Sequence, residues 1–70
     1  MNKYEIIMCW SSEDSCFIAE IPELPGCRAH GNTEEIALKN IKDAMNLWIE
    51  TANEFGEPIP TPKGRKLEYA

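Results

Sequence analysis

The stretch Glu20-Ile21-Pro22-Glu23-Leu24-Pro25-Gly26-Cys27-Arg28-Ala29-His30-Gly31-Asn32-Thr33 ends one extended segment, turns twice, and hands the chain to its one long helix. Pro22 has no N–H to give to a sheet ladder, so the strand before it stops or becomes an edge there. Pro25-Gly26 has the residue types of the two central positions of a type II turn, Pro for the fixed φ and Gly for the positive φ. Cys27 to His30 then reads as a short extended piece. Gly31 frees the backbone, and Asn32 or Thr33 offers a side-chain oxygen to the unpaired N–H groups of a helix start.

Upstream, Lys3 to Trp10 reads as a strand with Tyr4, Ile6, Met8 and Trp10 on one face and Glu5, Ile7 and Cys9 on the other. Apolar residues on both faces imply that the helix covers one side and that something else, a second subunit included, covers part of the other. Ser11 to Ser15 is polar turn material, and Cys16 to Ile21 alternates again with Phe17, Ala19 and Ile21 together. A hairpin results. With Ser11 to Asp14 as its loop, Cys9 lies directly across from Cys16. Trp10, at the strand end, suits a core and an interface equally.

Downstream of Thr33 the period changes to three and four. Ala37, Ile41, Ala44, Trp48, Ala52 and Phe55 form an apolar stripe that Leu38, Met45 and Ile49 widen, which predicts a helix of about six turns. Lys39, Asn40, Lys42, Asp43, Asn46, Glu50 and Asn53 fall on its solvent side. Glu34 and Glu35 suit the positive end of the helix, and Gly56 is placed to stop it. Glu35 stands three after Asn32 in the manner of a capping box, which favours Asn32 as the cap, since Ile36 cannot reach back to Thr33. Pro58 to Pro62 must run extended. Lys63 to Ala70 then has room for one short strand, with Leu67 and Tyr69 on a common face.

The 70 residues form one domain, 1–70, and a chain of this size buries only about 60% of its unfolded surface, so a partner subunit, metal or disulfide is the usual support. The net charge is −5. That balance argues against a phosphate-binding surface, keeps a small chain soluble and suits a basic protein partner. No signal peptide opens the chain, and no apolar run approaches the ~20 residues that span a bilayer, so a cytoplasmic protein is expected. Three cysteines in a reducing compartment read as small buried thiols.

A zinc site drawn from Cys9, Cys16, Cys27 and His30 is disfavoured, because residues three apart on a strand point to opposite faces. Cysteine–histidine catalysis lacks a third group to orient His30. The carboxylates Glu13, Asp14, Glu20, Glu23, Glu34 and Glu35 sit mostly in turns and at the helix start, where capping and solubility use them. No catalytic residue, metal or cofactor is therefore expected.

Tyr4-x-Ile6, Phe17-Ile18-Ala19-Glu20-Ile21-Pro22-Glu23-Leu24-Pro25-Gly26-Cys27, Gly31-x-Thr33, Ala37-Leu38 and Gly56-x-Pro58-Ile59-Pro60-x-Pro62 together resemble the HicB antitoxins over nearly the whole chain. The resemblance implies an α+β fold of the β-β-β-α-β type. It is partial RNase H-like, with a three-stranded antiparallel sheet packed on one long helix plus a short C-terminal strand. It also implies a non-enzymatic member of a type II toxin–antitoxin system that oligomerises and neutralises a small basic HicA-type toxin that cleaves mRNA. Ile36 stands where the family usually has Glu. Many members carry a DNA-binding module after the Pro-rich segment, whereas this sequence ends at Ala70, so direct DNA binding by this chain alone is not expected.

Charge then nominates Glu13, Asp14, Glu23, Glu34 and Glu35 as the toxin-binding surface. Ile7, Cys9, Trp10, Leu67 and Tyr69 are the candidates for self-association into a homodimer or higher oligomer. A stand-alone dimeric interaction module with no toxin partner is the alternative.

Overall fold

The computed structural model describes residues 4–61. Strand β1 (Ile7–Ser11), strand β2 (Cys16–Glu20) and strand β3 (Arg28–Gly31) precede helix α1 (Glu34–Glu54). The sheet is antiparallel with order β1-β2-β3, so the architecture is α+β. The expected strand Arg65 to Tyr69, with Leu67 and Tyr69, lies outside the described residues.

Strand β1 starts later than its alternation suggests because the ladder begins at the pair Ile7↔Glu20, after which the partner chain turns away at Pro22. The hairpin loop is also shifted. Ser11 pairs with Cys16 and Cys9 with Ile18, so Cys9 does not face Cys16. The Ser11 hydroxyl accepts the Asp14 N–H at 3.3 Å and donates to the Asp14 carboxylate at 3.2 Å, while Ser15 takes a positive φ of 52° to re-enter the ladder. The turn therefore occupies residues 12–15, one position later than expected.

Between β2 and β3 the chain makes the two turns that the prolines foretell. Leu24 N–H donates to the Ile21 carbonyl at 3.0 Å, and Cys27 N–H donates to the Leu24 carbonyl at 2.9 Å around Pro25-Gly26, with Gly26 at φ 79°. That is a type II turn. Ile21 N–H donates to the Cys27 carbonyl at 3.0 Å, one pair beyond the ladder. Hydrogen-bonded and open pairs alternate in an antiparallel sheet, so Ala19↔Ala29 and Phe17↔Gly31 are also bonded pairs. Arg28 and His30 consequently turn their backbone groups to the outer edge of β3.

Gly31 belongs to β3 and is buried, where the sequence suggested only a loosened backbone. A Cβ there would stand 2.5 Å from the Ala37 nitrogen, so glycine lets the helix start lie against the strand that feeds it. Because β3 runs through Gly31, the helix begins one residue later than a cap at Asn32 allows. Thr33 is the N-cap, its Oγ1 accepting the Ile36 N–H at 3.1 Å. At the other end Gly56, at φ 66°, donates to Asn53 O at 3.2 Å and Glu57 N–H donates to Ala52 O at 2.8 Å, the two bonds of a Schellman stop.

Helix α1 packs over β3 and β2. Tyr4, Ala19, Ile21, Leu24, Cys27, Ala37 and Ile41 form the buried cluster, flanked by half-buried Ile6, Met8, Phe17, Met45, Trp48 and Ile49. Complete burial of Ile21, Leu24 and Ile41 contributes roughly 1.5–3 kcal/mol each. The Tyr4 hydroxyl donates to the Pro60 carbonyl and holds the segment after the helix against the chain start. Two stripe residues depart from expectation: Leu38 is exposed, and Phe55, the C-cap, is 71% exposed because the helix outruns the sheet.

Candidate partner interface

Strand direction sorts the acidic candidates. Both β1 and β3 run antiparallel to β2, so the 12–15 turn and the helix start share one end of the sheet while the 21–27 double turn occupies the other. Glu13, Asp14, Glu34 and Glu35, all exposed, therefore gather at the first end. Glu23 stands at the opposite end, half-buried, its carboxylate accepting the Glu5 N–H at 3.4 Å. Glu34 and Glu35 occupy the first turn of α1, where the helix dipole favours their negative charge.

The self-association candidates divide as well. Ile7 and Cys9 lie on the sheet face turned away from the helix, and both are exposed. Trp10 lies on the helix side, 54% exposed, its ring meeting Phe17 edge-on with centroids 5.0 Å apart. Helix α1 covers β3 and β2 more fully than β1, which leaves the indole at the uncovered margin.

Two polar side chains counted as solvent-facing or simply core by periodicity make specific long-range bonds. Asn40 Nδ2 donates to the outward-turned His30 carbonyl at 2.7 Å. Trp48 Nε1 donates to the Pro25 carbonyl at 3.0 Å, tying the middle of the helix to the type II turn. Neither partner is signalled locally, since the bonds span 10 and 23 residues.

Beside that turn lies an open cleft of about 740 Å³ lined by Pro25, Cys27, Leu47, Trp48, Thr51 and Pro58 among others. It is a largely apolar trough. Burial pushes the Cys27 thiol pKa upward, the opposite of what a nucleophilic thiolate requires. Cys27 and Cys16 are buried and Cys9 is exposed, all as free thiols. Among the described residues no three His, Cys, Asp or Glu side chains approach closely enough to hold an ion. No helix among them is long and apolar enough to cross a membrane. What the described surface offers a partner is an acidic end, a mixed sheet face and an apolar trough.

The family described as "HicB_like antitoxin of bacterial toxin-antitoxin system" matches residues 4–69. The chain is similar to a UPF0150 protein of Thermoplasma acidophilum, 35% identical over 65 residues that cover 93% of each chain. It is 36% identical over 55 residues to a UPF0150 protein of Synechocystis sp., covering 79% of this chain and 75% of that one. An uncharacterized 14.9 kDa protein of Haemophilus phage HP1 is 30% identical over 53 residues, which are 76% of this chain and 40% of the phage protein.

Proposed function

Because this chain belongs to the HicB-like antitoxin family, we propose that it binds and neutralises a small basic HicA-type toxin that cleaves mRNA, acting in the cytoplasm as a non-enzymatic binding protein. The observation that carries this reading is the extent of the family match, residues 4–69, which takes in the double turn, the helix and the Pro-rich segment together. The reading includes a single unit over 1–70 that self-associates. It also includes completion of the partial RNase H-like β-β-β-α-β arrangement by the last strand.

Neutralisation works here by occlusion. A toxin that cleaves RNA presents a positive surface to phosphates, and the end carrying Glu13, Asp14, Glu34 and Glu35 presents the matching sign. On a chain of net charge −5 this end steers a basic partner during encounter and then covers the surface that RNA needs. Glu23, at the far end, contributes through the overall field or through a second contact. No proton transfer or metal is required.

The test is co-purification with the product of the neighbouring gene, together with rescue of growth when both are expressed. Neutralising Glu13, Asp14, Glu34 and Glu35 together should lower the association rate ~10-fold or more at low salt and flatten its salt dependence. A toxin that binds the four-site variant as fast as the wild type overturns the electrostatic mechanism. A neighbouring product that neither binds nor is neutralised overturns the function.

A further inference from the structure

The trough beside the type II turn is walled on three sides, and each wall is tied in place. Helix α1 supplies one side with Leu47, Trp48 and Thr51, the turn supplies the second with Pro25, and the segment after the helix supplies the third with Pro58 and Pro60. The Trp48 Nε1 bond to the Pro25 carbonyl at 3.0 Å locks the first wall to the second. The Tyr4 hydroxyl holds the third through the Pro60 carbonyl, and Glu57 N–H, bonded to Ala52 O at 2.8 Å, fixes where that segment leaves the helix. A concavity held in this way loses little freedom when it is filled. Yet Leu47 at its lip is 64% exposed, more than any other large apolar side chain within α1.

About three turns of helix separate Leu47 from Ile36, which is 46% exposed, so the two side chains stand in line along one flank of α1, ~16 Å apart. Glu34 and Glu35 adjoin Ile36 in the first turn. The flank therefore links the acidic end of the sheet to the trough, and a standard interface of ~800 Å² per partner, ~28 Å across, spans both. Charge selects what lies there. Glu50 and Glu54 follow Leu47 by three and seven residues on the same side of the helix, and Glu57 lines the trough; all three are exposed. The cations on this side already stand beside carboxylates, Arg28 lying 3.6 Å from Glu20 and Lys39 3.1 Å from Asp43. A second copy of a chain of net charge −5 would bring more negative charge to an acidic rim, whereas a basic partner brings the matching sign.

We propose that the trough anchors the basic partner: an apolar side chain of that partner, flanked by Lys or Arg, fills the space between Leu47, Trp48 and Pro58 while its cations meet Glu50, Glu54 and Glu57. The inference rests on the toxin-binding reading given above and adds to it the site that sets how long the complex lasts. The acidic end and the trough then do different things. Exposed charges at a rim act mainly on the rate of encounter, and salt screens them. A desolvated apolar side chain in a preformed pocket acts on the rate of escape, and such central contacts hold most of the affinity of an interface. Substitutions at the two places therefore separate the two rate constants.

The test measures both rate constants by surface plasmon resonance, with the full chain and the product of the neighbouring gene. Leu47→Asp should raise the dissociation rate ~10-fold or more and leave the association rate within ~3-fold. Circular dichroism verifies that the variant folds, as the exposure of Leu47 allows. A second measurement reads the trough directly. Leu47→Cys in a Cys9→Ser background leaves one exposed thiol, Cys16 and Cys27 being buried. That thiol should react readily with iodoacetamide in the isolated chain and lose its reactivity in the complex. An unchanged dissociation rate in Leu47→Asp, or a thiol that stays reactive in the complex, overturns the anchor and leaves toxin binding through the acidic end standing. A thiol already protected in the isolated chain also overturns it, assigning the trough to a second copy if protection rises with concentration and to the chain's own last residues if it does not. A wild type that binds no neighbouring product overturns the function first, and the anchor with it.

Discussion

Replacing Gly31 by alanine introduces one methyl group at the point where β3 and the start of α1 touch. The new Cβ would lie 2.5 Å from the Ala37 nitrogen, 2.7 Å from Ile36 Cγ2 and 2.9 Å from the Ile36 carbonyl carbon. The Ile36 side chain can rotate aside, because it is 46% exposed. The Ala37 nitrogen cannot. It belongs to the first helical hydrogen bond, to Thr33 O at 2.9 Å, so relief requires the whole first turn to move away from the strand. Overpacking against backbone atoms falls in the upper part of the usual range, ~2–3 kcal/mol, and the smaller unfolded-state entropy of alanine returns ~1 kcal/mol. The expected net loss is ~1–2 kcal/mol, a fall in Tm of ~5–15 °C for a chain of this size. Thermal melts followed by circular dichroism at a fixed chain concentration read it, the concentration being held because association shifts Tm. Gly26→Ala is the comparison: its Cβ meets nothing within 4 Å, and its cost comes from φ 79° alone. Asparagine should recover part of the loss at 26 and none at 31. A Gly31→Ala protein within ~0.5 kcal/mol of the wild type would refute the close-approach argument.

Thr33→Ala should destabilise by about 1 kcal/mol while Asn32→Ala stays within ~0.5 kcal/mol, as read by urea titration; equal losses would return the cap to Asn32. Trp48→Phe keeps the ring and removes the N–H donated to Pro25 O, so a loss of ~0.5–1.5 kcal/mol is expected in chemical denaturation, with the far-UV spectrum unchanged. The Cys27 thiol is held above its ordinary value of 9.0 by burial, so the folded chain keeps a proton there that the unfolded chain releases. Its contribution to stability is complete below the unfolded pKa and is lost as pH rises through the folded one. Denaturant titrations above pH 9 should therefore show a decline that Cys27→Ala lessens, and Cys9 should react with iodoacetamide well before Cys27.

Features whose cause is local were legible in the residues. Pro25-Gly26 dictates a type II turn because the second central position demands positive φ, and Gly56 dictates the helix stop for the same reason. The stripe from Ala37 to Ala52 gave the helix and its buried side. Decisions made by distant residues were not legible. The cap fell to Thr33 rather than Asn32 because β3 continues through Gly31, which depends on how closely the helix approaches the strand. Asn40 and Trp48 found backbone acceptors that no spacing rule announces. The five acidic candidates read alike in sequence, and only strand direction separates Glu23 from the other four.

The bond from Asn40 to the His30 carbonyl bears on how many neighbours this sheet can recruit. A chain that adds to others edge to edge grows without limit only if both edges are reactive, one to give and one to receive. On β3 the outward acceptor at His30 is already engaged, and the amide that engages it stands where an incoming backbone would have to run. In polymer terms that bond lowers the functionality of the β3 edge, and a unit with one weakened edge tends to end a chain rather than propagate it. Asn40→Ala should therefore raise the tendency to form thioflavin-positive aggregates on prolonged incubation, without a matching loss of folded stability.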